Sequence, residues 1–506
     1  MVLLCDGTPL DFEQSRIHFA SLRRAALTQC VQCLRCDART DGTRWGDEIE
    51  YAVVDEKKGD PLALPPRVVA PLLATGHWMP EYGVWMLESI PSEPYVGVED
   101  VLRSMAARRA ELQWAVASLG GRVVTLGACP TLGANSQDVQ DGDDDATQPV
   151  THSTHFPDYL IAPLPRFTAL TANIRARRGT KVCIPIDAPG ARPLDAMGFG
   201  MGCCSLQITL QATDLAHALE LHDAFVTISP LFLALSAATP VVAGAVRDEY
   251  DSRWPLICDA TDDRTPEERA MGWPSRFDTA PWYLSERREA LQDPDIVAAH
   301  DADAFDTLRR VEGVPEPLAR WLAHALALDP LVVFAHHADA DDPQCDALRT
   351  FLSTQWKSVR LKVPTPDEAT TLGWRVEFRV MDVQPTDADN AAFAIAAMAA
   401  ARALVADGAV PRTPMAVVRA DLAAAGRRGA ARNGRFAWGT GDARDAVALV
   451  RELRRRSLPH CPNADAAFAR LESLAATGET AATRMRARIA ATGAIAAAYG
   501  DGGVVA

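Results

Sequence analysis

The sequence predicts a mixed fold in which helices cover one large sheet (α+β), and three observations carry that prediction. The stretch 373–380, GWRVEFRV, alternates strictly, with Trp374, Val376, Phe378 and Val380 on one side of a strand and Arg375, Glu377 and Arg379 on the other. Two further segments, 45–54 (WGDEIEYAVV) and 205–211 (SLQITLQ), repeat the pattern, with glutamates or glutamines on their polar side. A chain of 506 residues exceeds what one small core supports, so several lobes or one large sheet with helical additions are expected. A polar strand face turned to water would contribute little, since exposed ion pairs are worth about 0 to 1 kcal/mol. A shared interior face needs other polar segments for company, and these strands, with Arg253 beside Trp254, supply them.

The chain is 48% hydrophobic and 23% charged, with a net charge of -15. That balance fits a globular protein, and its acidity argues against nucleic acid or an anionic membrane as the main partner. A small anionic substrate would need local basic residues or a metal. The start, MVLLCDGTPLDF, lacks a basic region followed by an apolar run, so a cytoplasmic location is expected. The apolar runs 231–246 and 391–401 are too short to span a bilayer, so no membrane anchor is expected.

Eleven cysteines scattered over a long chain read as free thiols rather than a disulfide framework. Cys30, Cys33 and Cys36 are the exception to the scatter. No fourth cysteine follows nearby, and their surroundings read as a helix with the thiols near one face rather than an iron–sulfur motif. Whether they are redox-sensitive is open at this level.

Taken in order, 11–34 reads as a helix, Asp41 and Gly42 as a turn, and 45–54 as a strand with Glu48 and Glu50 on one face. Two positions along a strand span roughly 6 to 7 Å, enough for two carboxylates to approach one ion or two neighbouring ions. A solvated edge strand is the plainer expectation for that pair alone. In 77–95, Glu81 and Glu88 lie among aromatic and apolar residues, and Gly83 interrupts any regular geometry between them. A helix is expected over 98–119 and a strand over 122–126.

The acidic run 138–147 reads as a solvated loop; it lacks the glutamate that completes an EF-hand. Residues 165–181 read as a basic amphipathic helix ended by Gly179, its arginines reaching phosphate or facing water. Gly198, Gly200 and Gly202 permit close backbone approach to a ligand, but their spacing is not the dinucleotide fingerprint. A helix over 214–225 and a separate apolar helix through Leu231 follow.

The ordered series WGDEIEY, PEYGVWMLE, PRFTALTANIRARRG, DAMGFGMGCCSLQITLQA, SAATPVVAG, SRW, DDRTPEER, SRFD and GWRVEFRVMDVQPTD resembles the eukaryotic-type glutamate–cysteine ligase catalytic subunit from about Met1 to Leu404. The resemblance implies a glutamine-synthetase-like fold, a large twisted, mainly antiparallel sheet forming a funnel with surrounding helices. It implies ATP-dependent ligation of the L-glutamate γ-carboxylate to the amino group of L-cysteine through a γ-glutamyl phosphate, the first step of glutathione biosynthesis.

By the same resemblance, Glu48, Glu50, Glu81, Glu88 and Glu377 are the expected ligands of Mg²⁺, with Mn²⁺ as an alternative. Arg379 and Glu377 are the implied catalytic pair, with Arg379 contacting the transferring phosphoryl group or the carboxylate. Arg253, Gln207, Cys203 and Met201, with Arg379, hold the substrates. Glutathione is implied as a feedback inhibitor. The same mechanism with another amine acceptor is the alternative, and a catalytically inactive nucleotide-binding relative is a third reading, which retention of all five glutamates disfavours. Asp382 stands where the family usually has glutamate, and Ser205 where a further cysteine is common. Residues 1–410 are expected to form the catalytic core, and 411–506 an alanine-rich helical extension packing on it. In that tail the resemblance thins to fragments such as ATGE at 476–479, which leaves open the modulatory subunit that animal relatives bind.

Overall fold

A computed structural model of the chain describes residues 7–134, 150–153, 155–342 and 345–499. The acidic run 138–147 lies outside the described residues. The main sheet has seven strands: β1 (Trp45–Asp55), β2 (Trp78–Pro80), β3 (Met86–Ser89), β4 (Gly121–Val124), β5 (Leu206–Gln211), β6 (Val359–Lys362) and β7 (Arg375–Phe378). Their order is β6-β7-β5-β1-β3-β2, with β4 also on β1, and every pairing is antiparallel.

β1 is long enough, at 11 residues, to pair with β5 along its first half and with β3 and β4 along its second. Glu48 and Glu50 therefore lie on an interior strand, not the expected edge. Glu81 follows β2 and Glu88 lies on β3, with the backbone around Gly83 forming the connection.

The period of two divides the sheet into two faces. Ile49, Tyr51, Leu206, Ile208, Leu210, Leu361, Val376 and Phe378 are buried on one of them. That face is covered by two long helices, Leu215–Ser236 and Asp387–Ala406. Phe378 stacks on Phe225 with ring centroids 4.7 Å apart and meets Phe232 edge-on at 5.7 Å. Burying a phenylalanine of this kind contributes about 1.5 to 3 kcal/mol. Polar residues take the opposite face, which becomes the wall of the cavity described below.

The helices used here are α1 (Phe12–Arg16), α2 (Phe19–Arg35), α3 (Val101–Val116), α4 (Pro165–Arg178), α5 (Leu215–Ser236), α6 (Trp254–Ala260), α7 (Asp387–Ala406), α8 (Ala446–Ser457), α9 (Asp465–Thr477) and α10 (Ala481–Thr492). The single helix expected over 11–34 is two. Asp11 and Gln14 form a capping box that starts α1, and the chain turns at Ile17 and His18 before α2. Where two helices were expected near 214–231 there is one. Pro230 lies inside α5, where a proline supplies no N–H, and the Thr227 and Ser229 hydroxyls bond back to the carbonyls of Asp223 and Phe225 at 2.8 and 2.7 Å.

By length and composition α5 and α7 could cross a membrane, contrary to the run lengths read from sequence. Of their most apolar windows, 94% and 72% is buried inside the protein, the position of core helices. Beyond residue 411 the chain is mainly helical: α8 and α9 pack on α7, while Ala482 of α10 donates from its N–H to Ala237 O at 2.9 Å.

Candidate active site

Register places the polar residues of five strands in one surface. Met79, Glu88 and Glu50 stand opposite one another across β2, β3 and β1. Glu48 stands opposite Gln207 across β1 and β5, while Thr209, Glu377 and Arg360 form a row across β5, β7 and β6. This surface lines a cavity closed on its other sides by Arg166 and Phe167 of α4, Ile257 of α6, and Arg253, Phe277, Arg349 and Trp356. All of Glu48, Glu50, Glu81, Glu88, Met201, Cys203, Gln207, Arg253, Glu377 and Arg379 line it. The residues singled out from sequence, drawn from segments more than 300 positions apart, thus share one cavity.

One end of the cavity is acidic. Glu50 accepts from the N–H and Oγ of Ser205 at 2.8 and 2.7 Å and from Gln207 Nε2 at 3.2 Å. Ser205 is therefore the main anchor of that carboxylate. Burial raises the Glu50 carboxyl above its ordinary pKa, although Arg253 and Ser205 pull it down. Burial and the charge of Glu50 push Glu81 up to about 7, and burial with Glu48, Glu81 and Glu50 around it raises Glu88 well above the carboxylate range. Burial and neighbouring carboxyls together hold these groups toward their protonated forms.

The adjoining end is basic. Lys362 Nζ lies 2.6 Å from Glu377 Oε1, 3.0 Å from Glu48 Oε1 and 3.2 Å from Thr209 Oγ1. Arg379 Nη1 donates to Glu377 Oε2 at 3.0 Å and to Gln207 Oε1 at 2.6 Å, and Arg360 Nη1 is 3.8 Å from Glu377. Burial alone would raise Glu377, but Lys362, Arg379 and Arg360 outweigh it and hold the carboxyl well below its ordinary pKa. Arg375, on the same strand face, turns away to Glu368 at 2.8 Å.

Sequence reasoning passed over Lys362 and Arg360. Their signal was present in Val359-Arg360-Leu361-Lys362-Val363, which alternates as 373–380 does. The arginines of α4 divide. Arg166 lines the cavity, whereas Arg177 pairs with Glu268, Asp329 and Asp263, and Arg178 caps the carbonyls of Thr180 and Asp262. Arg177 and Arg178 serve packing rather than phosphate or water.

Arg253, fully buried at the N-terminus of α6, donates through Nη2 to the carbonyl of Arg379 at 2.8 Å. Its carboxylate neighbour is Asp382, 3.6 Å from Nε, and not Asp248 or Asp251, which lie closer in sequence. Asp382 accepts from Thr239 Oγ1 at 2.7 Å, Ala238 N at 3.0 Å and the backbone N–H of Arg253, so it is a structural counter-ion. Cys203 donates to Phe199 O, and burial pushes its thiol up to about 12, which makes it a wall and not a nucleophile.

The glycine run is packed against the protein itself. A Cβ on Gly198 would overlap the Phe156 ring, and one on Gly200 would come within 2.5 Å of Ala260 Cβ. These glycines let α6 and the aromatic cluster approach; their close neighbours are not a ligand. Cys30 and Cys33 are likewise buried in α2, with Cys33 pushed up to about 11 by burial, as structural thiols are.

Glu48, Glu50, Glu81 and Glu88 suit a hard divalent cation by donor chemistry: they are oxygen ligands on one wall, where Glu50 raises Glu81, and Glu48, Glu81 and Glu50 raise Glu88, a burden that a shared positive charge would relieve. Among the described residues, no group of three or more acidic, histidine or cysteine side chains already converges closely enough to hold a metal. The fit to such an ion therefore rests on the donor chemistry of these carboxylates in one wall.

A buried cavity with clustered carboxylates beside clustered cations is the equipment of an enzyme that crowds negative charge, as an ATP-dependent carboxylate–amine ligase does. The chain belongs to the glutamate–cysteine ligase family, whose profile matches residues 1–189 and 187–457. It is 32% identical over 491 residues to the human glutamate–cysteine ligase catalytic subunit, covering 86% of this chain and 76% of that one. It is 30% identical over 461 residues to glutamate–cysteine ligase of Dictyostelium discoideum, covering 78% and 72%. Among solved structures, glutamate–cysteine ligase of Francisella tularensis in complex with AMP shares the fold, with a TM-score of 0.53 at 12% identity over 91% of this chain and 87% of that one.

Proposed function

We propose a division of labour among these side chains for the ATP-dependent ligation of the glutamate γ-carboxylate to the cysteine amine, the activity that family membership gives this chain. The observation that carries it is the shared cavity with an acidic end beside a basic one. Arg253, held by Asp382 and the Arg379 carbonyl, binds a carboxylate of glutamate, and Gln207, Met201 and Cys203 shape that pocket. Arg379 meets the transferring phosphoryl group, with Lys362 and Arg360 sharing the charge around Glu377.

Glu48, Glu50, Glu81 and Glu88 would hold Mg²⁺, or Mn²⁺, with Glu377 as the fifth expected ligand if Lys362 is drawn off to phosphate. The ion, when bound, neutralises phosphate charge and aligns it with the γ-carboxylate. Carboxylate attack on the γ-phosphorus releases ADP and leaves an acyl phosphate. The cysteine nitrogen then adds to that carbonyl and phosphate departs, taking with it the oxygen that the carboxylate supplied. The wall of Phe167, Leu170, Ile257 and Phe277 keeps water from the acyl phosphate.

The twisted sheet narrowing as a funnel, the cytoplasmic location and feedback by glutathione belong to the same reading. So does the division of the chain near residue 410, which is supported by every cavity-lining residue lying before it. The test is phosphate release from ATP in the presence of glutamate, with candidate amino acids added in turn. Cysteine-dependent turnover is expected; well-folded protein that releases phosphate only with another amine would replace cysteine as the acceptor.

A further inference from the structure

We infer that Arg486, on the C-terminal helix α10, is a positioning residue for the glutamate site, acting through Asp251 on the segment that carries Arg253. This rests on the reading of Arg253 given above. Arg486 Nε donates to Asp251 Oδ1 at 2.8 Å, its Nη2 lies 2.7 Å from the same oxygen, and Nη2 also donates to Tyr250 O at 3.0 Å. The side chains are 13% and 4% exposed, so this is an interior tie rather than a surface pair.

The remaining contacts of Asp251 tie the same segment down. Its Oδ2 accepts from Gly429 N at 3.0 Å, its N–H donates to Gly426 O at 3.1 Å, and its carbonyl accepts from Thr239 N at 2.7 Å. Tyr250 bridges to Arg427 as in an antiparallel ladder, and Arg428 N donates to Glu249 O at 2.7 Å. Residues 249–251 are therefore held by 426–429 and by Arg486. Two positions further on, Arg253 uses its own N–H and guanidinium on Asp382 and the Arg379 carbonyl, at the cavity wall.

Asp251 does not line the cavity, nor does Arg486, which lies beyond residue 457, where the family profile ends. A guanidinium can only clamp a carboxylate if its backbone is fixed to within a fraction of an ångström. Losing Arg486 leaves a buried carboxylate without its cation and frees the segment to shift, and Arg253 shifts with it.

The test is steady-state kinetics on the full-length enzyme with Arg486→Ala and Arg486→Lys, melting temperatures recorded, and Arg253→Lys alongside. Arg486→Ala is expected to raise the glutamate KM about five- to tenfold, as coupled members of one network do, with kcat and the ATP KM within about twofold. Arg486→Lys, which keeps the charge with one donor head, should fall between it and wild type, and it carries the test if the alanine variant does not fold. A glutamate KM that stays put, or constants that all fall in step with melting temperature, overturns the inference. If Arg253→Lys itself leaves the glutamate KM unchanged, the reading of Arg253 fails and this one falls with it; if only Arg486 is silent, the reading of Arg253 stands alone.

Discussion

Glu50 and Glu88 stand directly opposite each other on adjacent antiparallel strands, two carboxylates facing one another in the cavity wall. Burial and its acidic neighbours keep Glu88 protonated to well above the ordinary carboxylate pKa; once it ionises, opposed like charges destabilise the sheet by about 0.2 to 1 kcal/mol unless a cation joins them. At a pH where Glu88 is ionised, Glu88→Gln should therefore raise the melting temperature of chelated protein by up to about one degree. The same change should lower kcat by on the order of 100-fold and weaken the response to Mg²⁺. Scanning calorimetry with and without Mg²⁺, beside a magnesium titration of rate, checks both. A variant less stable without metal than wild type would mean that the pair is held by a shared proton alone.

Glu81 gives the pH dependence of the same region. Its folded carboxyl is pushed up to about 7, from an ordinary 4.5, chiefly by burial. Between those values the folded protein holds a proton that the unfolded chain has released, so this group's contribution to stability is complete below 4.5 and declines as pH rises through about 7. In metal-free protein the melting temperature of Glu81→Gln minus that of wild type should accordingly grow from pH 4.5 to pH 7 and then level off. A difference that shrinks over that window would reverse the assignment.

How much of this was legible in the chain depends on the range of the interaction. Strand alternation is local, so the two-faced character of 45–54, 205–211 and 373–380, and the glutamates on those faces, could be read directly. Which strands are neighbours is not local: the interior position of β1, and with it the facing of Glu50 and Glu88, follows from pairings that periodicity does not encode. The passage of α5 through Pro230 was missed because tertiary burial overrode local punctuation, and the break between α1 and α2 because no glycine or proline marks it at Ile17 and His18. Arg253 was expected at a substrate carboxylate, and that its buried counter-ion is Asp382, 129 positions away, is something only the folded chain reveals.

Lys362 is the residue that binds the two ends of the cavity together, through Glu377 and Glu48. Its side chain is only 8% exposed, so replacement by methionine, similar in length, leaves two carboxylates short of a charge-assisted bond, a loss of about 1.5 to 3 kcal/mol. Lys362→Met should lower both the melting temperature and kcat, and in chelated protein it should raise affinity for Mn²⁺, because a cation now has a vacancy between Glu48 and Glu377. Isothermal titration with Mn²⁺ reads this without any turnover. Unchanged Mn²⁺ affinity would separate Lys362 from the metal-binding carboxylates.

The last prediction compares two arginines that the alternation of 373–380 puts on one face but that the fold sends to different partners. Arg379 reaches Gln207 and Glu377 on the cavity wall, whereas Arg375 is tied to Glu368 outside it. A cation that meets the phosphoryl group is needed most when charge crowds the transition state, so Arg379→Ala should cut kcat by about 100-fold or more. Its melting temperature should fall no more than that of Arg375→Ala, since Glu377 keeps Lys362 and Arg360 beside it, whereas the half-buried Glu368 loses the cation paired with it. Arg375→Ala should reduce kcat only a few-fold, about as much as its stability loss entails. The decisive measurement is kcat against melting temperature for both variants. If they lie on one line, losing activity in proportion to stability, the polar face of β7 is a structural row of ion pairs and Arg379 has no part in phosphoryl transfer.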